Sequence, residues 1–387
     1  MGLIRRRLKL SSLRWVKMGE TTAMPGLGLA VIGVGANGYK TVRDALSLPH
    51  LGLVVGCEPQ PDRADRVRRD FDIQVEDELS KTIGRDDIHL VYVATPNDQH
   101  EDVACASMEA GKSVLLQKPM AHDIDACRRI MRVQKETGAF LQIGFECRYS
   151  LLYSRAKEVV DSGDVGRIRN FHMSYFQSLW PVWLDHEGGW KWLAERSGGI
   201  IAEKLSHYID LFQWYTGAAV GEVDVFAAEP VLPYFKTTDT VQIGMRTENG
   251  AAGVITFSFC RASTAEKDQN EGVDGEETGH CTEQTLIGEK GSIHLHDSRT
   301  LDLYLYDRDG ETRPYLASRQ EFDEDRLDLV HNTRDELADV VRRVAAGEPP
   351  SLSPAVAFQV FEVCFAAEES IRRKGAVSIA SWRAAAK

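Results

Sequence analysis

A glycine-rich loop between an apolar run and a helical pattern does most to fix the fold of this chain. The apolar run ends at Ile32, and a G-x-G-x-x-G loop follows with the residues Gly33, Val34, Gly35, Ala36, Asn37 and Gly38. In this spacing the first glycine permits a tight turn, the second lets the backbone approach a pyrophosphate, and the third lets the helix pack closely on the strand. The N-terminus of that helix attracts phosphates. The loop therefore predicts a dinucleotide site, with its three glycines, Ala36 and Asn37 as candidate contacts.

An acidic residue follows the second apolar run, "LGLVVGC". This residue, Glu58, lies 20 positions after Gly38, where a carboxylate would bind the ribose hydroxyls of a dinucleotide. A carboxylate there repels a 2′-phosphate, which favours NAD over NADP. Arg63, five residues on, could reach such a phosphate and keeps NADP open. The alternative is an ordinary βαβ unit with a solvated glutamate.

Two further predicted strands end at the same edge of the sheet. The segment "IHLVYVATPNDQH" ends in the loop Thr95-Pro96-Asn97, and "KSVLLQ" ends just before Lys118. Pro119 forces the residue before it into an extended conformation, so Lys118 cannot start a helix. Ligands of open α/β sheets bind at the carboxyl ends of the strands. Lys118 is therefore predicted at the cofactor crevice, and "LQIGFECRY", 141–149, is predicted as the last strand.

The second informative stretch is "SGGIIAEKLSHYIDLFQWYTG", which predicts a helix. Glu203 and His207 are four residues apart, so a helix places them on one face. Histidine is a natural general base for an alcohol, and a nearby carboxylate can hold its tautomer. Two alternatives remain at this point: a solvated Glu–His pair, or a shared metal ion. No third ligand is apparent nearby in the sequence, so no metal is predicted.

The rest of the second half predicts a mainly antiparallel sheet. Its β-rich segments are not separated by long helical patterns; they are "RIRNFHMSYFQS", "TVQIGMRT", "AAGVITFSF", "GSIHLHD" and "LDLYLYD". Before the predicted helix, four tryptophans occur in thirteen residues. Aromatic faces suit the C–H faces of a sugar ring, so Trp180 and Trp183 are candidate substrate contacts, although the tryptophans could equally pack the loop. Arg148 and Tyr149 follow the first domain and could also face the cleft.

Length and charge limit the remaining possibilities. A chain of 387 residues is too long for one ordinary core, so two domains are expected. The net charge of −12 argues against nucleic acid as a partner, and no apolar run reaches the roughly 20 residues of a membrane span. Seven cysteines without CxxC spacing indicate free thiols and a reducing cytoplasm.

The chain divides into three predicted parts. Residues 1–25 carry six positive charges before any acid and are expected to form a basic flexible tail. The segment "RRRLKL" could also belong to a twin-arginine export signal, but no uninterrupted apolar segment follows it. Residues 26–147 are predicted as an NAD-binding Rossmann domain, and 148–387 as an α+β domain for substrate binding and oligomerisation. A terminal helix, 354–374, is expected to pack back on the first domain.

Several segments together resemble one known family. These are "VIGVGANG", "VYVATPNDQHEDVACASMEAGKSVLLQKP", "SGGIIAEKLSHYIDLFQWYTG", "IGEKGSI" and "SLSPAVAFQVFEVCFAAEES". Their order and spacing over about residues 27–380 resemble the glucose–fructose oxidoreductase / inositol dehydrogenase (Gfo/Idh/MocA) superfamily of NAD(P)-dependent oxidoreductases.

The resemblance implies roles for individual residues. Lys118 would contact both the nicotinamide ribose and the substrate hydroxyl. Gln117 stands where the family has the glutamate of a Glu-Lys-Pro motif, which removes a charge beside Lys118. The loop beside the nicotinamide ribose would comprise Thr95, Pro96, Asn97 and His100.

The implied activity is hydride transfer between NAD and a secondary alcohol or ketone of a sugar or cyclitol. His207 would remove the hydroxyl proton, Lys118 would stabilise the developing charge, and Glu203 would orient His207. Relatives of this kind bury the open face of the second sheet in a homo-oligomer. Two alternatives are NAD-dependent cleavage of a glycoside, which is a hydrolase or lyase outcome, and a sugar-sensing regulator without turnover.

Overall fold

A computed structural model describes residues 26–177, 189–230, 236–259, 281–296, 299–306, 313–322 and 330–385. Within these ranges the chain forms one parallel and one mainly antiparallel sheet, each packed against helices. This architecture confirms the predicted Rossmann domain followed by an α+β domain. Among the described helices, none has both the length and the apolar character needed to cross a membrane.

The first sheet contains six parallel strands in the order β3-β2-β1-β4-β5-β6. The strands are β1 (Leu27–Ile32), β2 (Leu51–Cys57), β3 (Gln74–Glu76), β4 (Leu90–Val93), β5 (Ser113–Gln117) and β6 (Leu141–Gly144). Every residue of β4 and β6 is buried, as expected for strands that are covered on both faces. The direction of winding reverses between β1 and β4, which opens a crevice at their carboxyl ends.

Five helices follow the strands of this sheet along the chain within the described residues. They are α1 (Ala36–Ala45), α2 (Pro61–Phe71), α3 (Leu79–Ile83), α4 (His100–Glu109) and α5 (Ile124–Thr137). A 3₁₀ turn, Asn97–Gln99, precedes α4. The predicted strand 141–149 ends early, at Gly144, and Glu146–Tyr149 form another 3₁₀ turn that leads into α6 (Leu151–Asp161).

The second sheet has nine strands within the described residues. In chain order they are β7 (Ile168–Phe176), β8 (Val220–Ala227), β9 (Thr240–Thr247), β10 (Ala252–Ser258), β11 (Cys281–Gly288), β12 (Gly291–His296), β13 (Thr300–Tyr306), β14 (Pro314–Glu321) and β15 (Val377–Ser378). Their order in the sheet is β14-β13-β12-β11-β7-β10-β9-β8-β15. Among the described strand pairs of this sheet, only β7–β10 is parallel. Burial alternates along β9 and β10, so one face packs on helices.

The remaining described helices lie between and around the two sheets. They are α7 (Ala194–Ser197), a π-helical segment (Ile201–Leu205) that continues into α8 (Ser206–Thr216), then α9 (Thr333–Ala346), α10 (Pro354–Arg373) and α11 (Ile379–Ala385). Helix α10 packs against α5 of the first domain and α8 of the second. Its Phe361 stacks on Phe145 with ring centroids 5.6 Å apart.

Helix α9 also packs on the first domain. Leu337, Val340 and Val341 of this helix are buried in the same apolar cluster as Leu29 and Leu115 of the first sheet. The two domains therefore share a continuous packed interface. This interface fixes the carboxyl edge of the first sheet against the segment that leads into α8.

Candidate active site

The glycine loop has the shape that a dinucleotide phosphate requires. Gly33 has a φ of +84°, and a Cβ there would lie 2.9 Å from the carbonyl oxygen of Ala94. A Cβ on Gly38 would lie 1.9 Å from the carbonyl oxygen of Gly33, so α1 can pack this closely only with glycine. A Cβ on Gly35 would meet no atom within 4 Å, which leaves open space at the start of α1. The loop residues therefore fit a pyrophosphate at the helix N-terminus.

Glu58 is held in place directly beside this loop. The carboxylate is buried, its Oε2 accepts a hydrogen bond from the backbone N of Val34, and its Oε1 accepts one from the backbone N of Gln60, each at 3.1 Å. Each oxygen keeps a second lone pair that can accept a ribose hydroxyl. Arg63 lies exposed in the first turn of α2.

Lys118 connects the edge of the first sheet to the second domain. Its Nζ donates a hydrogen bond of 2.6 Å to the backbone carbonyl oxygen of Glu203, in the π-helical segment. Gln117 steadies the turn: its Nε2 donates to the Tyr92 hydroxyl at 2.6 Å, and its Oε1 accepts from the backbone N of Lys118 at 3.1 Å. The neutral amide thus holds the backbone of Lys118 through hydrogen bonds.

The loop after β4 meets the same segment. Asn97 is buried, and its Nδ2 donates to the carbonyl oxygen of Ser197 at 2.8 Å and to Glu203 Oε2 at 2.9 Å. His100 is buried between the carbonyl oxygens of Pro119 (2.8 Å from Nδ1) and Thr95 (3.0 Å from Nε2). Burial lowers the pKa of His100. His100 therefore ties the loop that contains Thr95 and Pro96 to the turn that carries Lys118.

The structure gives Glu203 a different partner from the predicted one. Its carboxylate faces Asn97, whereas the Nε2 of His207 lies 3.3 Å from Oε1 of Glu146. The π-helical turn changes the angular spacing between Glu203 and His207 relative to an α-helix, so the two side chains project toward different neighbours. Glu146 therefore lies beside His207 where the sequence predicted Glu203.

His207 is buried, and its surroundings favour the neutral imidazole. Burial lowers the pKa of His207, the charge of Lys118 lowers it further, and Glu146 opposes both. The ring lies edge-on to Phe145, with centroids 5.8 Å apart. His331 also contacts Glu146, with its Nδ1 3.1 Å from Oε1.

Glu146 and His331 were missed by sequence reasoning. Burial raises the pKa of Glu146, but its contacts with His207 and His331 outweigh that effect and hold the pKa well below its usual range. No local pattern signals this contact, because residues 141–149 read as a continuous strand and His331 is distant in sequence.

A cluster of lysines surrounds Glu203. Burial lowers the pKa of Lys191, and burial together with the charges of Lys118 and Lys191 lowers the pKa of Lys204 to about 7. Burial raises the pKa of Glu203, but Lys118, Lys191 and the hydrogen bond from Asn97 outweigh it, so the net shift is downward. Glu203 is therefore an anchored carboxylate among cations. Lys204 is a further residue that the sequence analysis did not single out.

Arg148 and Tyr149 both bond to other side chains of the protein, and their role in substrate binding stays a prediction. Arg148 forms a bidentate ion pair with the fully buried Asp210 of α8, with both N–O distances 2.7 Å. The Tyr149 hydroxyl donates to Asp339 of α9 at 2.9 Å and lies 2.6 Å from Ser351 Oγ. Both side chains are engaged in the packing between helices because they emerge from the 3₁₀ turn and not from a strand.

The tryptophans are only partly within the described residues. Trp180 and Trp183 lie outside them. Trp190 and Trp192 form a 3₁₀ turn with Lys191 just before α7, and Trp192 is buried. Helix α7 packs on the turn after β4, where Arg196 pairs with Asp98 at 2.6 Å.

A glycine loop with an anchored acid, joined to a second domain that brings a buried histidine near Lys118, is the arrangement of an NAD-binding oxidoreductase with two domains. Comparison with known families agrees. A family model described as "Oxidoreductase family, NAD-binding Rossmann fold" matches residues 27–145, and one described as "GFO/IDH/MocA C-terminal domain" matches residues 153–294. The chain belongs to the Gfo/Idh/MocA family, which confirms the resemblance and NAD as the cofactor.

Individual relatives are distant. The chain is 26% identical over 271 residues to scyllo-inositol 2-dehydrogenase (NAD(+)) of Bacillus subtilis (strain 168), covering 69% of this chain and 72% of that protein. It is 26% identical to 1-carboxy-3-chloro-3,4-dihydroxycyclo hexa-1,5-diene dehydrogenase of Comamonas testosteroni, covering 59% of this chain and 57% of that protein. The crystal structure of GenD2 from gentamicin A biosynthesis in complex with NAD shares the fold, with a TM-score of 0.75, 20% identity and coverage of 92% and 97%.

Proposed function

We propose that this protein is an NAD-dependent dehydrogenase that oxidises a secondary alcohol of a cyclitol or sugar, or reduces the corresponding ketone. The observation that carries this proposal is the 2.6 Å hydrogen bond from Lys118 Nζ to the carbonyl oxygen of Glu203. It places the lysine of the nucleotide domain against the segment that continues into the helix of His207. A cation near a buried imidazole suits the removal of a proton from a hydroxyl group.

Lys118 acts on the hydroxyl oxygen as a hydrogen-bond donor. An ammonium group has three N–H donors, and only one is used by Glu203, so two can turn toward a ligand. Its positive charge stabilises the negative charge that develops on the oxygen as the proton leaves. In ketone reduction the same donor polarises the carbonyl group.

His207 accepts the hydroxyl proton. Burial keeps the imidazole neutral, and a neutral imidazole can take a proton. Glu146, 3.3 Å from Nε2, then stabilises the imidazolium by charge. When NAD is bound, it supplies the hydride acceptor for the carbinol carbon.

The substrate class rests on the relatives and on the polar groups of the cleft. Two matched relatives carry names of enzymes that act on hydroxylated six-membered carbon rings. Glu203, Lys191 and Lys204 are ionisable polar groups beside Lys118, and such groups can bind several hydroxyls of one ring. These observations support a cyclitol over an isolated alcohol.

Cofactor preference follows from Glu58. Its buried carboxylate would repel the 2′-phosphate of NADP, whereas Arg63 is exposed on α2. We therefore infer a preference for NAD, with NADP used less efficiently.

Assembly and location are also proposals. Large apolar side chains are exposed on the strands of the second sheet, namely Phe226, Ile287, Tyr306, Tyr315 and Leu316. Exposed apolar side chains on these strands support a homo-oligomer formed through this sheet. Five of the described cysteines are free thiols, which supports a reducing cytoplasm.

The experiment that tests the proposed function is a panel of inositols, sugars and their keto forms, assayed with NAD and with NADP in both directions. We expect NADH formation with at least one cyclitol or sugar. Cleavage of a glycoside without net NADH would favour the lyase alternative. Ligand binding without turnover across the whole panel would favour a regulator and contradict the proposal.

A further inference from the structure

Four side chains that can bind a metal, one of them the proposed general base His207, lie close together. Cys147, His207 and His331 each offer one ligand atom, and these three atoms lie within 4.8 Å of one another. Glu146 Oε1 lies 3.3 Å from His207 Nε2 and 3.1 Å from His331 Nδ1. The sequence showed no third ligand close to His207. The fold brings Glu146 and Cys147 to it from the 3₁₀ turn after β6, and His331 from just before α9.

Three of the six distances between these ligand atoms are close to the edges of a zinc tetrahedron. With usual zinc–ligand bond lengths, the N–O edge of a tetrahedron is about 3.4 Å and the N–S edge about 3.6 Å. The observed N–O distances are 3.3 and 3.1 Å, and Cys147 Sγ lies 3.6 Å from His331 Nδ1. Among the described residues, the group whose ligand atoms all lie within 4.8 Å of one another comprises Cys147, His207 and His331, so Glu146 has to move toward these three to complete the tetrahedron.

Buried atoms without hydrogen-bond partners also point to a ligand at this place. Glu146 Oε2 and both ring nitrogens of His207 have no hydrogen-bond partner among the described residues, although each atom is buried. Both side chains are more than nine-tenths buried. The ion-pair distance between Glu146 and His207 is thus not a well-aligned hydrogen bond, and buried polar groups of this kind are normally satisfied.

The charges around this place are mixed. Glu336 is a second buried carboxyl group near Glu146, and Lys118 is a nearby cation that opposes metal binding.

We propose that Glu146, Cys147, His207 and His331 bind a Zn²⁺ ion, and that this ion reversibly inhibits the enzyme. Four protein ligands leave no open coordination position, as in closed zinc sites. On binding, the Cys147 thiol releases its proton to solvent and the thiolate forms a bond to zinc. A neutral His207 ring bound to zinc through Nε2 carries its proton on Nδ1, so neither ring nitrogen has a lone pair free to accept a hydroxyl proton. The inhibitory consequence rests on the proposed function, whereas the metal site does not.

The metal site is tested without substrate by titrating the metal-free protein with Co²⁺. We expect the visible bands of tetrahedral cobalt together with a thiolate-to-cobalt charge-transfer band, and displacement of both by Zn²⁺. Cys147→Ser should lose the charge-transfer band, and His331→Gln should weaken cobalt binding at least about tenfold. The matched control is Cys105→Ser, which removes a free thiol elsewhere and should leave the spectrum unchanged. A wild-type spectrum without the thiolate band would overturn the proposal.

The inhibitory role is tested with the substrate found by the panel. We expect Zn²⁺ to abolish turnover of the wild-type enzyme and EDTA to restore it. Cys147→Ser should require at least about tenfold more Zn²⁺ than the wild type for the same fractional inhibition, with each protein measured against its own metal-free rate. Turnover that rises with Zn²⁺ would refute inhibition. Cobalt binding without any dehydrogenase activity would leave the metal site standing and reject the proposed function.

Discussion

Replacing Glu368 with glutamine is expected to change how the stability of this protein depends on pH. Glu368 lies in α10 beside the segment that leads into the π-helical turn, and its Oε1 would be 2.6 Å from a Cβ on Gly199. That oxygen is buried and has no hydrogen-bond partner among the described residues. Burial raises the pKa of Glu368 to about 7, while a hydrogen bond from the backbone of Ile201 opposes the shift.

The sign of the effect follows from proton binding. Between pH 4.5 and about 7 the folded chain holds a proton on Glu368 that the unfolded chain has lost, so stability falls as pH rises through this interval. At about 1.4 kcal/mol per pH unit, the unfolding free energy lost over this interval is at most about 3 kcal/mol. Glutamine has no proton to lose and keeps an oxygen for the Ile201 hydrogen bond.

The assay is guanidinium unfolding of the wild-type and Glu368→Gln proteins, followed by tryptophan fluorescence near pH 5 and near pH 8. We expect the variant to gain about 1 to 3 kcal/mol relative to wild type between these two conditions. Glu369→Gln is the matched control on the same helix. Glu369 accepts a hydrogen bond from Arg372, which lowers the pKa of Glu369, so this variant should not become more stable than wild type at high pH. An equal difference between wild type and Glu368→Gln at both pH values would refute the reasoning.

Three further predictions concern the cofactor, the interface and the assembly. Glu58→Ala should lower the ratio of kcat/KM for NAD over NADP at least about tenfold, since it removes the carboxylate that repels a 2′-phosphate; steady-state kinetics with both cofactors measure this. Asp210→Asn should cost about 3 kcal/mol of unfolding free energy, because Arg148 keeps a largely buried charge without its counter-ion; chemical denaturation measures it. Phe226→Glu should shift the protein toward the monomer in light scattering, because Phe226 is 70% exposed on the proposed assembly face.

Local patterns account for what the sequence predicted well. The glycine loop, Glu58 and Lys118 are each placed by the end of a nearby strand, so their positions follow from short stretches of chain. The parallel sheet follows from strands that alternate with helices. These features depend little on contacts between distant residues.

The errors arose where a distant contact or a small backbone change decides the outcome. Glu203 and His207 point to different neighbours because one π-helical turn interrupts the helix, and no residue pattern marks such a turn. Glu146 reaches His207 because the strand predicted for 141–149 stops at Gly144. The contact of Glu146 with His331 joins segments that are far apart in the chain, and single-sequence patterns carry no information on such contacts.

The central claim is that Lys118 and His207 act on the same hydroxyl group. The most direct measurement is kcat/KM for Lys118→Met, His207→Gln and the double variant, with NAD binding and folding checked separately. We predict that each single variant loses at least about a hundredfold, and that the double variant loses much less than the product of the two. Folded single variants that bind NAD and keep near wild-type kcat/KM would contradict the claim.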